Sequence, residues 1–224
     1  MKFDRDGAPF VVASALPALV AASTGRRRTA LALLAVPAAV GAFFRDPDRA
    51  PDWGVPADPD VVLAPADGKV MHVGEPQDGV APPGDWQQIS IFLSLADVHI
   101  NRTPAAGRVV AVGHRPGRYL AAFRAESAQE NERSEITVRS EVRGEERTVV
   151  FRQIVGVVAR RVVTRVGVGD EIAAGQRIGL MRFGSRMDVF VPRCVRVEVQ
   201  VGDKTVAGES VIARWPSPPV GVPS

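Results

Sequence analysis

The chain has 224 residues, 46% of them hydrophobic, and a formal net charge of only +3. This length accommodates one domain, or one domain with an appendage, around a substantial hydrophobic core. The basic residues are scattered, so the sequence lacks the basic stripe with interleaved aromatics that is typical of nucleic-acid binding. The single cysteine, Cys194, excludes an internal disulfide and a cysteine-rich metal site, and we expect it to be a small buried residue on a strand.

Two apolar runs, residues 9–23 and 29–44, open the chain and are separated by Thr24-Gly25-Arg26-Arg27-Arg28. Each is shorter than the roughly 20 residues of a membrane-spanning helix. Three interpretations are open: a helical hairpin in a membrane, a signal peptide in the first run, and a buried hairpin of a soluble core. Asp4 and Asp6 disfavour a signal peptide, whose first residues should be basic. We predict a membrane-associated hairpin over residues 1–44, with its arginine turn on the cytoplasmic side.

Residues 45–60 are rich in Pro and Asp and predict an extended linker. Residues 61–224 are rich in Val and punctuated by Gly, which predicts a mostly-β domain of sandwich or barrel-like form. We expect strands at residues 89–95, 108–112, 135–142, 147–154, 155–165, 189–191 and 195–201, with a short helix or loop at 121–130. Residues 168–179 are similar to the turn pattern of lipoyl and biotinyl domains. Lys204 lacks the flanking residues of a carrier lysine, so we predict a related β shape rather than a carrier domain.

The dipeptide Gly184-Ser185 joins two stretches that have the pattern of β-strands. One interpretation is a bulge or tight bend, which glycine allows because it lacks Cβ. The other is a self-processing site, in which the serine hydroxyl attacks the carbonyl of the residue before it. On the dipeptide alone the bend is favoured, because short motifs often match by chance.

Three further residues are candidates for chemistry. Asp97 and His99 follow the predicted strand 89–95, at a loop where catalytic groups are often placed, and His99 is a candidate general acid or base. Asp67, in an Asp-Gly turn, is a candidate to orient a base. Each has a structural alternative, such as an ordinary Asp-Gly turn. The polar cluster Asn131-Glu132-Arg133-Ser134 either lines a site or forms a solvated loop.

Taken in chain order, these motifs resemble those of the phosphatidylserine decarboxylases, in particular the short prokaryotic branch of these pyruvoyl-dependent enzymes. The resemblance covers nearly the whole chain, including the apolar N-terminus. The motifs that carry it are Phe43-Phe44-Arg45-Asp46-Pro47, Ala64-Pro65-Ala66-Asp67-Gly68-Lys69-Val70, Leu95-Ala96-Asp97-Val98-His99-Ile100-Asn101-Arg102, Asn131-Glu132-Arg133-Ser134 and Phe183-Gly184-Ser185.

The resemblance implies self-cleavage between Gly184 and Ser185. Ser185 would become a covalent pyruvoyl group, the only cofactor, and no metal would be needed. The large chain, residues 1–184, and the small chain, residues 185–224, would form a heterodimer. The enzyme would convert phosphatidylserine to phosphatidylethanolamine and CO2, with the catalytic β domain peripheral to the cytoplasmic side of the cell membrane. Its partners would be the phospholipid substrate and the membrane.

Within this scheme, Ser185 is the nucleophile, His99 the proton carrier and Asp67 the partner that orients a base, while Asp97 assists either of them. The longer bacterial branch has a second histidine three residues after the first, and here that position is Arg102. Two alternatives to the function are a decarboxylase of another serine-headgroup lipid and a membrane-anchored β-sandwich binding module without enzymatic activity. Cleavage at Ser185 distinguishes an enzyme from a binding module.

Overall fold

The computed structural model describes residues 2–49, 58–157, 161–182 and 184–216. The chain forms two compact units, Met1–Asp48 and Arg49–Ser224. The boundary between them lies inside the predicted linker 45–60, of which residues 50–57 lie outside the described residues. Phe183 of the last motif, residues 158–160 of a predicted strand and residues 217–224 of the tail also lie outside them.

The N-terminal unit is helical in both apolar runs. Its helices are α1 (Ala8–Ser23), α2 (Arg27–Leu33) and α3 (Ala35–Phe43), and a short antiparallel pair joins β1 (Lys2–Phe3) to β2 (Arg45–Asp46). The chain reverses at Gly25, whose φ of 75° suits glycine. The stretch Arg5–Ser23 has 19 residues and a mean hydropathy of 1.4, so it is long and apolar enough to cross a membrane.

The second unit is mostly β, as predicted. In chain order its strands are β3 (Val61–Leu63), β4 (Gly68–Gly74), β5 (Trp86–Leu93), β6 (Ile100–Arg102), β7 (Gly107–Arg115), β8 (Arg133–Val142), β9 (Glu145–Ile154), β10 (Val162–Thr164), β11 (Glu171–Ile172), β12 (Arg177–Met181), β13 (Ser185–Pro192), β14 (Arg196–Val197), β15 (Lys204–Thr205) and β16 (Val211–Arg214). A short helix, α4 (Ser127–Glu130), lies within the region predicted as helix or loop.

An eight-stranded antiparallel sheet, curled into a half-barrel, forms the centre of this unit. Its strand order is β11-β7-β8-β9-β13-β5-β4-β15, so β13 lies between β9 and β5. Two three-stranded sheets accompany it, in the orders β10-β12-β6 and β14-β16-β3. Strands β7, β8 and β9 pair in succession, and the local alternation of apolar residues was enough to predict each strand, though not the pairing.

Strand β13 has buried residues on both faces. Met187, Val189 and Val191 point into the main apolar core inside the curled sheet. Phe190 points to the opposite face, where it packs with a smaller apolar cluster that includes Val80. Because successive side chains of a strand alternate between faces, Ser185 shares the inner face with Met187. Because both faces of β13 are packed, the position of Ser185 at the start of the strand is well defined.

Three predictions about local structure were wrong. The strand expected at 195–201 is only Arg196–Val197. The strand expected at 155–165 is not continuous: β9 ends at Ile154, and the next strand is only Val162–Thr164. The ladder stops there because the Asn131 side-chain amide donates to the Val155 carbonyl at 2.8 Å. Cys194 is exposed in a turn rather than buried on a strand. Pro192 ends β13, and Val195 is the residue that turns back into the core.

The buried Asp60 carboxylate links the start of this unit to β9. It accepts hydrogen bonds from Arg143, at 3.0 Å, and pairs with the deeply buried Arg147, at 2.8 Å. We expect Asp60→Asn to lower the free energy of unfolding by about 3 kcal/mol at pH 7, because the Arg147 guanidinium then stays buried without its counter-charge. Urea-induced unfolding measures this loss. Glu146→Gln breaks an exposed pair with Arg139 and should cost at most about 1 kcal/mol.

The effect of Asp60 should also depend on pH. Burial by itself raises the pKa of Asp60, but hydrogen bonds and charge interactions with Arg147 and Arg143 outweigh it, so its pKa lies below the ordinary value. A carboxyl group with a lowered folded-state pKa stabilises the fold above its unfolded pKa of about 3.9, and this contribution is lost as the pH falls through the folded pKa. The difference in stability between the wild type and Asp60→Asn should therefore shrink below about pH 4. A constant difference down to pH 2 would contradict this explanation.

Candidate active site

The predicted bend at Gly184 is present at the start of the central strand. Ser185 is the first residue of β13, where it lies opposite Leu93 of β5. Gly184 has a φ of 67°, a left-handed conformation that glycine adopts without the strain that a Cβ would bring. The chain therefore turns sharply just before Ser185 and then enters a strand that is paired on both sides.

The Ser185 hydroxyl is buried and has no hydrogen bond to any residue that the structure describes. The residue is 0% exposed, and its Oγ has no hydrogen-bond partner within the described part of the chain. Burying a hydroxyl without a partner costs about 1–3 kcal/mol, so buried hydroxyls are nearly always bonded. A buried hydroxyl without a described partner, directly after the left-handed turn at Gly184, is a candidate nucleophile.

His99 contacts the residue that precedes this serine. Its side chain is 2% exposed, and its Nε2 accepts the Gly184 N–H at 3.2 Å while Nδ1 lies 3.0 Å from the carbonyl oxygen of Asp97. A carbonyl only accepts and an amide N–H only donates. Both bonds are therefore satisfied together by the neutral ring that carries its proton on Nδ1. In this tautomer the single Nε2 lone pair accepts the Gly184 N–H, one peptide unit before the Gly184–Ser185 bond.

Asp97 holds the loop that carries His99. Its carboxylate accepts from the Ser94 N–H at 2.7 Å and from the Ser94 hydroxyl at 2.6 Å, which closes the turn after β5. The contact with His99 is made by the main-chain carbonyl of Asp97. The structure thus brings Asp97, His99, Gly184 and Ser185 together, with the Asp97 carboxylate bonded to the turn.

Asp67 lies in an ion pair with Arg49. The Arg49 guanidinium meets both carboxylate oxygens, with one contact of 2.8 Å, and the Ala207 N–H donates to the same carboxylate at 2.8 Å. Both side chains of the pair are largely buried. Arg102, at the position of the second histidine of the longer branch, is also buried and donates to the Gly175 carbonyl at 2.8 Å.

Gly156 lies directly against the carbonyl group of Gly184. A Cβ placed on Gly156 would be 2.0 Å from the Gly184 oxygen and 3.4 Å from the Ala122 Cβ. Asn131 fixes the chain beside it, since its side-chain amide donates to both the Val155 and the Leu120 carbonyls at 2.8 Å. The predicted polar cluster is therefore partly structural: Asn131 is buried and positions the segment that supports Gly184.

A layer of polar side chains lies on the inner face of the same end of the sheet. Gln153 Nε2 donates to Asn101 Oδ1 at 2.8 Å, and Thr164 Oγ1 lies 2.8 Å from both Gln153 Oε1 and Ser134 Oγ. Gln153 is opposite Met187 in register, two residues from Ser185. The apolar interior of the half-barrel therefore ends, near Ser185, in buried polar side chains that are hydrogen-bonded to one another.

Sequence comparison identifies the family. The profile described as phosphatidylserine decarboxylase matches residues 36–213. Similar proteins include the phosphatidylserine decarboxylase proenzymes of Mycolicibacterium smegmatis, 42% identical over 92% of this chain and 87% of the relative, and of Chlorobium phaeobacteroides, 41% identical over 88% and 85%. The chain belongs to the phosphatidylserine decarboxylase family. The predicted family and enzyme class are thereby confirmed.

Two residues near the candidate site, Arg49 and Gly156, were not predicted from the sequence. Arg49, the partner of Asp67, stands just beyond the motif that ends at Pro47, and a charged residue in an Asp-rich linker gives no sign of burial. Gly156 interrupts a Val-rich run, and this was the available signal, since a glycine inside a strand-like pattern often marks a close approach of another backbone. This signal was missed because the Val-rich run around Gly156 was long enough to be interpreted as one continuous strand.

Proposed function

We propose that this chain is a phosphatidylserine decarboxylase proenzyme that cleaves itself between Gly184 and Ser185 and converts phosphatidylserine to phosphatidylethanolamine and CO2. The observation that carries the proposal is the buried hydroxyl of Ser185, which has no described hydrogen-bond partner and follows the left-handed turn at Gly184. Family membership supplies the reaction class.

The cleavage begins with Ser185 Oγ as the nucleophile. A new bond forms between Oγ and the carbonyl carbon of Gly184, and the peptide C–N bond breaks, so that the amide becomes an ester and the Ser185 nitrogen becomes a free amine. Loss of the Ser185 α-proton then expels the Gly184 carboxylate from Cβ. Water replaces the nitrogen of the resulting dehydroalanine, ammonia leaves, and residue 185 is a pyruvoyl group at the start of the small chain.

His99 is the base that the geometry offers for the proton transfers. Its Nε2 lone pair lies within hydrogen-bond reach of the Gly184 N–H, one residue from the hydroxyl and the α-carbon that lose protons. Asp97 holds the turn before His99 through its bonds to Ser94. Asp67, which is bonded to Arg49 and to the Ala207 N–H, is the proposed partner that orients a base. In this assignment, Asp97 and Asp67 are positioning residues.

The fold fits a pyruvoyl group at position 185. The small chain would begin with β13, which is paired along its length with β5 and along much of it with β9, and would also contain β15 and β16, which pair with β4 and β3. The two chains would therefore stay joined as a heterodimer. The pyruvoyl carbonyl supplies an electron sink when CO2 leaves the substrate. The buried surroundings of Ser185 and the polar layer at Gln153 exclude water and bind polar groups there.

The substrate would be reached at a membrane. The helix over Arg5–Ser23 is long and apolar enough to anchor the protein, which would place the catalytic unit at the surface of the bilayer that contains its lipid substrate. In this proposal the arginine-rich turn at Arg26, Arg27 and Arg28 and the catalytic unit both lie on the cytoplasmic side, which requires that only Arg5–Ser23 crosses the bilayer and that residues 27–43 stay on that side.

Intact mass under denaturing conditions, combined with a decarboxylation assay, tests the proposal. We expect two chains, residues 1–184 and 185–224, with the small chain lacking a free N-terminal amine, and release of CO2 from phosphatidylserine. A cleaved protein that is inactive on phosphatidylserine but active on another serine-headgroup lipid would change the substrate only. A single chain with intact Ser185 after long incubation would refute the proposal and favour a membrane-anchored binding module.

A further inference from the structure

Large apolar side chains stand in solvent at the end of the sheet where Ser185 lies. Leu95 is 61% exposed, Phe123 65% and Val157 59%. They come from separate segments of the chain: the turn after β5, the connection between β7 and β8, and the stretch after β9. We call Leu95, Phe123 and Val157 the apolar rim.

The rim surrounds the Gly184–Ser185 linkage. Val157 follows Gly156, which lies against the Gly184 carbonyl, and Phe123 follows Ala122, whose Cβ lies beside the same glycine. These two approaches, of Gly156 to the Gly184 carbonyl and of Ala122 to Gly156, place Val157 and Phe123 one residue from groups that lie beside Gly184.

Leu95 belongs to the loop that follows the strand paired with Ser185. It lies two residues beyond Leu93, which is opposite Ser185 in register, and it is in the loop that carries His99. The Phe123 ring is 6.1 Å from the ring of Phe92, next to Leu93, in an edge-to-face contact. This contact links the segment that carries Phe123 to β5, the strand that precedes Leu95. Apolar residues that converge around one site from three segments form a patch rather than scattered exposed side chains.

Positive charge flanks the rim. Arg115 ends β7 and Arg133 begins β8, and the chain between them carries Phe123. Both arginines line a cleft of about 310 Å³ together with Arg152, and the carboxylate in that lining, Glu135, is already bonded to Arg152. Burial lowers the pKa of Arg133, and the neighbouring positive charges of Arg152 and Arg115 lower it further. Because three arginines and one carboxylate line the cleft, it carries an excess of positive charge.

We infer that the apolar rim is the surface with which the catalytic unit inserts into an anionic phospholipid bilayer. The inference rests on the proposed function, since a site that opens at this surface receives a lipid headgroup without drawing the whole lipid into water. Apolar side chains beside arginines are the composition of surfaces that lie in the interface of a membrane with anionic lipids. This surface belongs to the second unit and is separate from the helix over Arg5–Ser23.

Site-specific fluorescence tests the inference on the full chain. Cys194 is exposed and is first replaced by Ser, after which Leu95→Cys and Val157→Cys each provide one thiol for an environment-sensitive dye. Val168→Cys is the matched control: Val168 is 67% exposed, in the loop before β11, which pairs with the opposite end of β7. Vesicles of phosphatidylcholine with phosphatidylglycerol supply an anionic surface that has no serine headgroup.

We expect the emission of dyes at positions 95 and 157 to shift to the blue on addition of these vesicles, while the dye at position 168 does not respond. The shift should weaken with vesicles of phosphatidylcholine alone, which have no net negative charge to attract the arginines. It should also weaken at high salt, which screens the attraction between the arginines and the anionic lipids. No shift at 95 and 157, or an equal shift at 168, would overturn the inference. A shift that grows with protein concentration in the absence of vesicles would instead assign the rim to a second copy of the chain.

The outcome is separable from the proposed function. Dye shifts at 95 and 157 in a protein that neither cleaves itself nor releases CO2 would leave the rim as a membrane surface and refute the enzyme mechanism. Cleavage and activity without dye shifts would support the enzyme mechanism and refute the assignment of the rim as a membrane surface.

Discussion

Replacing Ser185 with alanine is expected to leave one uncleaved chain of 224 residues without decarboxylase activity. The substitution removes the hydroxyl that is proposed to attack the Gly184 carbonyl, and with it the precursor of the pyruvoyl group. Because this hydroxyl is buried without a described partner, its loss should leave the stability unchanged or raise it by about 1 kcal/mol. A stable but uncleaved protein would distinguish loss of chemistry from loss of fold.

Electrophoresis under denaturing conditions and thermal unfolding provide the two readouts. Thr103→Val is a matched control, because Thr103 is also fully buried but its hydroxyl donates to the Ala105 carbonyl at 2.7 Å. That variant should lose about 1 kcal/mol of stability and still be cleaved. Cleavage and activity in Ser185→Ala would disprove the scheme.

Gly156→Ala is expected to slow self-cleavage by about 100-fold or more while the protein still folds. The new Cβ would lie 2.0 Å from the Gly184 oxygen, so the carbonyl that Ser185 attacks must move. A displacement of about 1 Å at a reacting group can cost 100-fold in rate. Gly156 does not have a positive φ, so alanine meets no backbone strain at this position and the effect is purely steric.

The appearance of the small chain after synthesis in a cell-free system measures this rate. Gly113→Ala is the matched control, since Gly113 also lacks a positive φ and a Cβ there meets no atom within 4 Å. It should be cleaved at the wild-type rate. Wild-type cleavage of Gly156→Ala would show that the Gly184 carbonyl need not be held where the structure has it.

The site residues divide according to whether their signal is local. Four of the candidate residues could be named from the sequence because each lies in a short motif beside a strand-like pattern: Asp97, His99, Gly184 and Ser185. Such a motif can be read without knowing the tertiary structure. Their mutual contact was not predictable, because the bond from Gly184 to His99 joins residues 85 positions apart. It exists because β13 enters the sheet beside β5, whose following loop carries His99.

The sequence by itself determined the family, the β class of the second unit and the helical nature of the apolar runs. These follow from ordered motifs and from periodicity, which report on each segment alone. The tertiary structure decided the ion pair of Asp67 with Arg49, the approach of Gly156 to the Gly184 carbonyl, the exposure of Cys194 and the convergence of the apolar rim. Periodicity tells which face of a segment is buried, whereas only the register and order of the strands decide which distant residues meet.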